Sequence, residues 1–219
     1  VQDLRAISAI CKKHGVLLHV DAAQCIGKVR IDLKETPIDL MSFSAHKCYG
    51  PKGIGALYCK KQLKLQPIMF GGQQQSSTRP GTIPLMLIVA MGKAWELANK
   101  RFDNEYKKII ELQTFIKDNL HEDIILHGST DKRVAHNIMV SLPSNSNKND
   151  LLILKNKFNL SSAAACSHSQ RSHVLQSLGI EDKLQKTALR ISLGRWSKKE
   201  TCEELVARIN KICEKAKAI

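Results

Sequence analysis

Lys47 lies in the segment Ser42-Phe43-Ser44-Ala45-His46-Lys47-Cys48-Tyr49-Gly50-Pro51-Lys52-Gly53-Ile54-Gly55. A primary amine leaving a strand end can bond an aldehyde as a Schiff base. The Ser44 hydroxyl and the His46 imidazole beside it can donate to phosphate oxygens. The glycines that follow let backbone come close to a ligand. The chemistry suggested is therefore that of a phosphorylated aldehyde. From these residues alone, a solvated lysine in a strand-to-loop turn is the competing reading.

Four more places carry candidate chemistry. Upstream, His19-Val20-Asp21-Ala22-Ala23-Gln24 sets a carboxylate and a carboxamide past an apolar run; a helix N-cap and a surface glutamine are the plainer reading. Downstream, Arg79-Pro80-Gly81-Thr82-Ile83-Pro84 ends a polar loop, where Thr82 is either an anion ligand or a cap. Ser161-Ser162-Ala163-Ala164-Ala165-Cys166-Ser167-His168-Ser169 is a run of small and polar residues holding one thiol. Free cysteines are most often buried apolar residues. Cys11, Cys202 and Cys213 fit that description on apolar helix stripes, whereas Cys166 sits in a polar loop. His168 is either a group that lowers the thiol pKa or an exposed loop residue. Finally, Leu189-Arg190-Ile191-Ser192-Leu193-Gly194-Arg195 puts Arg190 between apolar neighbours, where a guanidinium can clamp a carboxylate through two parallel bonds. Arg195 reads as structural.

These five segments, in this order, resemble the NifS/IscS-type cysteine desulfurases, which are fold-type I pyridoxal-phosphate enzymes of the class V aminotransferase family. The resemblance runs from about residue 2 to residue 213. It implies an α/β fold: a PLP-dependent transferase large-domain portion with a mostly parallel sheet, plus a small α+β C-terminal domain. It implies pyridoxal 5'-phosphate as cofactor, bound by Asp21, Gln24, Ser44, His46, Lys47 and Thr82. Lys47 would be the cofactor lysine and Asp21 the partner of the ring nitrogen. Gln24 would bond the ring hydroxyl, and Thr82 the phosphate of a neighbouring subunit. Cys166 would be the persulfide-forming nucleophile, and Arg190 the clamp on the substrate carboxylate. The implied reaction converts L-cysteine to L-alanine. The implied partners are a second copy in a homodimer and a sulfur-acceptor protein, either an Fe-S scaffold or a tRNA/DNA thiolation carrier. Ala163 and Ala164 depart from the glycine and serine usual in the family's cysteine loop, removing no reactive group. The resemblance also identifies the chain as the C-terminal portion, with roughly 150 further residues expected ahead of it that supply the rest of the cofactor pocket. Selenocysteine lyase and an inactive remnant serving as an interaction module are the alternatives.

Asp3 and Gly15 bracket a helix over 2–14, with Leu4, Ile7, Ile10 and Cys11 on one stripe. Val16–Val20 reads as a strand buried on both faces, as in a parallel sheet. Leu40–Ser44 and Ile54–Cys59 read as further strands. Pro84 opens an apolar helix expected to be well buried, and 103–120 a long helix. Beyond it the elements shorten: strands at Asp123–His127, Asn137–Leu142, 159–162 and Leu189–Ser192, and helices at 150–156 and Ser169–Leu178. A last helix is announced by Ser197 and Glu200 as a capping box. The expected organisation is 1–102 as part of the cofactor-binding domain, 103–120 as a connecting helix and 121–219 as the small domain.

The totals are those of an ordinary globular protein: 219 residues, 43% hydrophobic and 25% charged. No apolar run is long enough for a transmembrane helix. The seven cysteines form no CxxC pair, which disfavours a disulfide framework or zinc site and points to a reducing compartment, cytoplasmic or mitochondrial matrix. The net charge of +14 would suit an acidic partner or nucleic acid. Lysines are scattered, however, and only 5% of residues are aromatic, which is too few for base-stacking platforms.

Overall fold

The structure is a computed structural model that describes residues 1–161 and 172–217. It divides into two compact units, Gln2–Asp103 and the chain from Asn104 onward.

The first unit opens with helix α1 (Leu4–Lys13). The Asp3 carboxylate accepts from the Ala6 amide at 3.0 Å, which satisfies one of the helix's open N–H groups. Lys12 and Lys13 fall in the last turn, where they complement the helix dipole. Gly15 follows at φ +64°, a left-handed stop that glycine adopts without strain. Leu4, Ile7 and Cys11 of the expected stripe are half-buried, and Leu4 packs on the core of the unit. Ser8 is the buried residue of α1, donating from Oγ to the Pro37 carbonyl at 2.5 Å, while Ile10 of the expected stripe is exposed.

Strands β1 (His19–Asp21), β2 (Leu40–Ser44) and β3 (Gly55–Cys59) form one sheet in the order β1-β2-β3. β1 runs parallel to β2, and β3 runs antiparallel to it. Met41, Ile38 and Ala22 form the small core, with Leu18, Val20, Phe43 and Tyr58 packed on it. The expected doubly buried strand at 16–20 is corrected here. Pairing starts only at His19, and Val16 and Leu17 are exposed, because β1 lies at the sheet edge with β2 on one side. Helix α2 (Leu85–Lys100) forms where expected but is not well buried. Leu85 and Met86 are 69% and 87% exposed, and Ala98 is its buried residue. A helix that is apolar on most sides reads as buried in sequence; among the described residues it covers only one face.

The second unit contains an antiparallel sheet, β4 (Ile125–Leu126), β5 (Asn137–Ser141) and β6 (Ala188–Ser192), in that order. Its helices are α3 (Phe102–Asn119) from Asn104 onward, α4 (Lys148–Phe158), α5 (His173–Ser177), α6 (Asp182–Lys186) and α7 (Lys199–Lys217). Ile109 and Ile116 of α3, Ile138 and Val140 of β5, Leu189 and Ile191 of β6, and Leu205, Ile209 and Cys213 of α7 share one core. The alternation along β5 and β6 turns one face inward, as a half-covered antiparallel sheet requires. Helix α4 starts because Asn147 accepts from the amides of Asn149 and Asp150, and stops at Asn159 in the left-handed region. Of the strand expected at 159–162, the described residues form one bridge, Ser161 to Arg190, and Ser162 lies outside them. Among the described residues no helix is long and apolar enough to cross a membrane.

Candidate active site

The parallel pairing of β1 with β2 brings the first cluster together. Asp21 is the last residue of β1 and stands opposite Ser42. The next amide, Ala22, donates to the Ser42 carbonyl at 2.8 Å. Both strands end in the same direction, so their carboxyl ends form one rim, the edge at which open α/β sheets bind ligands. Asp21 and, after a turn, Gln24 leave from β1; Ser44, His46 and Lys47 leave from β2. One Asp21 oxygen accepts from the Ala23 amide at 3.0 Å, and the carboxylate is exposed at the rim.

Past β2 the chain makes a one-turn 3-10 helix, Ala45–Cys48. Side chains three apart in such a helix lie above one another. Ala45 and Cys48 therefore turn inward together, and His46 and Lys47 face outward. The turn is held at both ends. The Ala45 amide donates to the Ile54 carbonyl at 3.2 Å, and the Gly50 amide donates to the Ala45 carbonyl at 3.0 Å. Tyr49 closes the helix at φ 66°. Gly50 and Gly55 are required by close approach: a Cβ would lie 2.9 Å from the Ala45 carbonyl oxygen at Gly50, and 2.4 Å from the Phe43 carbonyl oxygen at Gly55. The Ser44 hydroxyl and His46 Nδ1 are 2.8 Å apart, so the two groups form one polar unit beside Lys47.

Thr82 lies in the same unit, exposed, two residues ahead of Pro84, the N-cap of α2. Pro84 occupies the N-cap position without a side-chain cap bond, so Thr82 is not the cap of that helix. The described contacts do not bring it to Lys47.

The second unit carries the other candidates. Arg190 sits in the middle of β6 between buried Leu189 and Ile191, paired with Met139 of β5. Its amide donates to the Ser161 carbonyl at 2.7 Å, and its Nε donates to the Ser161 hydroxyl at 3.0 Å. The contact uses Nε, leaving the geometry of the two terminal nitrogens suited to an end-on carboxylate pair. Ser161 is the first residue of the small-residue run that contains the candidate thiol. Cys166 and His168 lie outside the described residues. Arg195 is committed elsewhere, through a two-bond ion pair with Glu105 at 2.6 and 3.3 Å. That agrees with its structural reading.

Sequence reasoning missed two partners. Ser161 was visible only as part of a polar run, and its link to Arg190 spans distant sequence. Lys28 was not singled out. It stands four residues after Gln24 and donates to the Gln24 side-chain oxygen.

An α/β unit with its chemistry on the carboxyl rim of parallel strands, followed by a small antiparallel α+β unit, is the architecture of a fold-type I transferase. The chain belongs to the aminotransferase class-V family, whose model matches residues 1–205. It is 38% identical to cysteine desulfurase IscS of Methylobacillus flagellatus over 98% of this chain and 55% of that protein. It is 39% identical to cysteine desulfurase IscS of Methylococcus capsulatus, over 95% of this chain and 53% of that one. The chain thus spans about half the length of these relatives. Among solved structures, a NifS-like protein superposes with a TM-score of 0.85 at 28% identity, covering 98% of this chain and 57% of that one. DndA from Streptomyces lividans superposes with a TM-score of 0.74 at 30% identity, covering 88% of this chain and 56% of that one.

The family is pyridoxal-phosphate-dependent, and the residues on the rim fit that group. An exposed amine suits the aldehyde, a carboxylate suits a protonated ring nitrogen, and a carboxamide suits the ring hydroxyl. The Ser44 and His46 pair offers donors for phosphate.

Proposed function

We propose that this chain carries the cofactor lysine, the carboxylate clamp and the sulfur-accepting thiol of a pyridoxal-phosphate-dependent cysteine desulfurase. The observation that carries the reading is the shared carboxyl rim of β1 and β2, where Asp21 stands opposite Ser42 and the turn bearing Lys47 begins at Ala45, just beyond. Similarity to cysteine desulfurases over nearly the whole chain supports it.

When bound, pyridoxal phosphate supplies an electron sink for the substrate's α-carbon. Lys47 holds the cofactor and moves the α-proton. Asp21, as a carboxylate, keeps a proton on the ring nitrogen. Gln24 bonds the ring hydroxyl, and Ser44 and His46 bond the phosphate. Thr82 serves the phosphate of a second copy. Arg190 binds the carboxylate of L-cysteine, fixing its orientation as well as its charge. Cys166, as thiolate, attacks the substrate sulfur, forming the S–S bond as the C–S bond breaks. The products are L-alanine and a persulfide on Cys166, which passes sulfur to an acceptor protein.

The test measures alanine and sulfide from L-cysteine with reductant, using the natural protein and its Lys47→Ala and Cys166→Ser variants. Both variants are expected to lose sulfide release. Unchanged turnover by Cys166→Ser rules out the persulfide step. A preference for L-selenocysteine that survives this substitution assigns the site to a selenocysteine lyase instead.

A further inference from the structure

Gln24 is an ambiguous ligand taken alone, because a carboxamide can present either its acceptor oxygen or its donor nitrogen to a bound group. The chain after β1 removes that ambiguity. The Cys25 amide donates to the Ala22 carbonyl at 2.9 Å, and the amides of Lys28 and Val29 both donate to the Cys25 carbonyl at 2.9 Å. Gly27 turns the backbone at φ +71°, pressed so closely on α2 that a Cβ there would lie 3.3 Å from Ala98 Cβ. This folded-back turn sets Lys28 over Gln24, and the Lys28 ammonium donates to Gln24 Oε1. An ammonium has donors only, so the partner atom must be the oxygen, and the Gln24 nitrogen is the end left for another acceptor.

Resting on the desulfurase reading, we infer that Lys28 is a positioning residue that fixes the Gln24 carboxamide with its N–H groups toward the cofactor's ring oxygen. The side chain is half-buried and sits among charges of the same site. Burial first, and then the positive charge of Lys47, hold the Lys28 ammonium below its ordinary pKa, while Cys48 and Cys25 act in the opposite direction. Holding the ammonium at this place carries a desolvation cost that a fully solvated surface lysine does not have. A half-buried cation beside the cofactor lysine also adds positive charge where an anionic ligand binds.

The experiment uses the natural protein stripped of cofactor, with pyridoxal phosphate as the probe, in five forms: wild type, Lys28→Met, Lys28→Arg, Gln24→Ala and the Lys28→Met/Gln24→Ala double variant. Dissociation constants are measured by equilibrium dialysis. Lys28→Met and Gln24→Ala are each expected to weaken binding about tenfold, and the double variant no more than the weaker single one, because the two residues act as one unit. Lys28→Arg is expected to restore binding to within about twofold of wild type, since its guanidinium also only donates. A second readout needs no cofactor: the pH profile of acetic anhydride labelling at Lys28, read by mass spectrometry. It should move to higher pH in Lys47→Met, where the neighbouring positive charge is gone. Additive losses, wild-type affinity in Lys28→Met, or an unmoved labelling profile overturn the inference. A wild-type protein that takes up no pyridoxal phosphate removes the proposed function and the role of Lys28 together. A wild type that binds while Lys28→Met binds equally well removes only the latter.

Discussion

Arg190 and Ser161 hold one another twice, backbone to backbone at 2.7 Å and guanidinium Nε to hydroxyl at 3.0 Å. The two bonds join the middle of β6 to the residue from which the segment bearing Cys166 departs. The clamp proposed for the substrate and the start of the thiol segment therefore share an anchor.

If Arg190 binds the substrate carboxylate, Arg190→Ala removes a charge-assisted bond of about 1.5–3 kcal/mol, or roughly 10- to 150-fold in kcat/KM for L-cysteine. Ser161→Ala removes a neutral partner only and should cost about 1 kcal/mol. Steady-state kinetics of both variants checks the ratio. Equal losses would mean that Ser161 positions the guanidinium completely.

Gly55→Ala tests how the Lys47 turn is braced. The new Cβ would meet the Phe43 carbonyl oxygen at 2.4 Å, so β2 and β3 must separate near the Ser44 to Gly55 pair. Overpacking of this kind costs about 1–3 kcal/mol. The expected result is a lower urea midpoint with unchanged slope, together with weaker cofactor binding, because the Ala45 to Ile54 bond lies next along the same pairing.

Glu105→Gln takes the carboxylate charge out of the two-bond pair with Arg195. The two side chains are only 14% and 18% exposed. Breaking a buried pair costs about 3–5 kcal/mol, and partial exposure lowers the expected loss here to about 2 kcal/mol. Chemical denaturation reads it directly. Cofactor uptake should be retained at temperatures where the variant stays folded.

His127 makes stability depend on pH. It is buried, its Nε2 lies 2.7 Å from the Ser141 hydroxyl, and that hydroxyl donates to the Leu184 carbonyl at 2.7 Å. The hydroxyl has one proton, so His127 must be the donor of the pair. This excludes a base role for His127 toward Ser141. Burial holds the imidazole pKa below its ordinary value, so the unfolded chain binds the proton more readily. The contribution to stability is complete above the unfolded value, about 6.5, declines as pH falls below it, and is gone once pH has passed the lower folded value. His127→Gln should flatten that part of the curve in denaturation measured from pH 8 to pH 5.

The motif around Lys47 was legible in sequence because the geometry needs it. Gly50 and Gly55 are demanded by backbone atoms under 3 Å from any Cβ, and Ser44, His46 and Lys47 fall on one short turn. Strands β2, β5 and β6 were legible from alternation and apolar content. The extent of β1 was not, since a short apolar run such as Val16–Val20 does not say which faces are covered. The exposure of Leu85 and Met86 on α2 was hidden for the same reason: composition reports what a helix can bury and says nothing of what is there to cover it. The Arg190 to Ser161 bridge stayed invisible because it joins residues far apart in sequence, and the Lys28 to Gln24 contact because it depends on how a turn folds back, a property of backbone angles rather than of residue type.

The most direct measurement is borohydride reduction of the natural protein after incubation with pyridoxal phosphate, followed by peptide mass analysis. The account predicts one stably modified residue, Lys47, with no such adduct in Lys47→Ala. A protein that binds the cofactor and is reduced at another lysine, or leaves Lys47 unmodified, contradicts it.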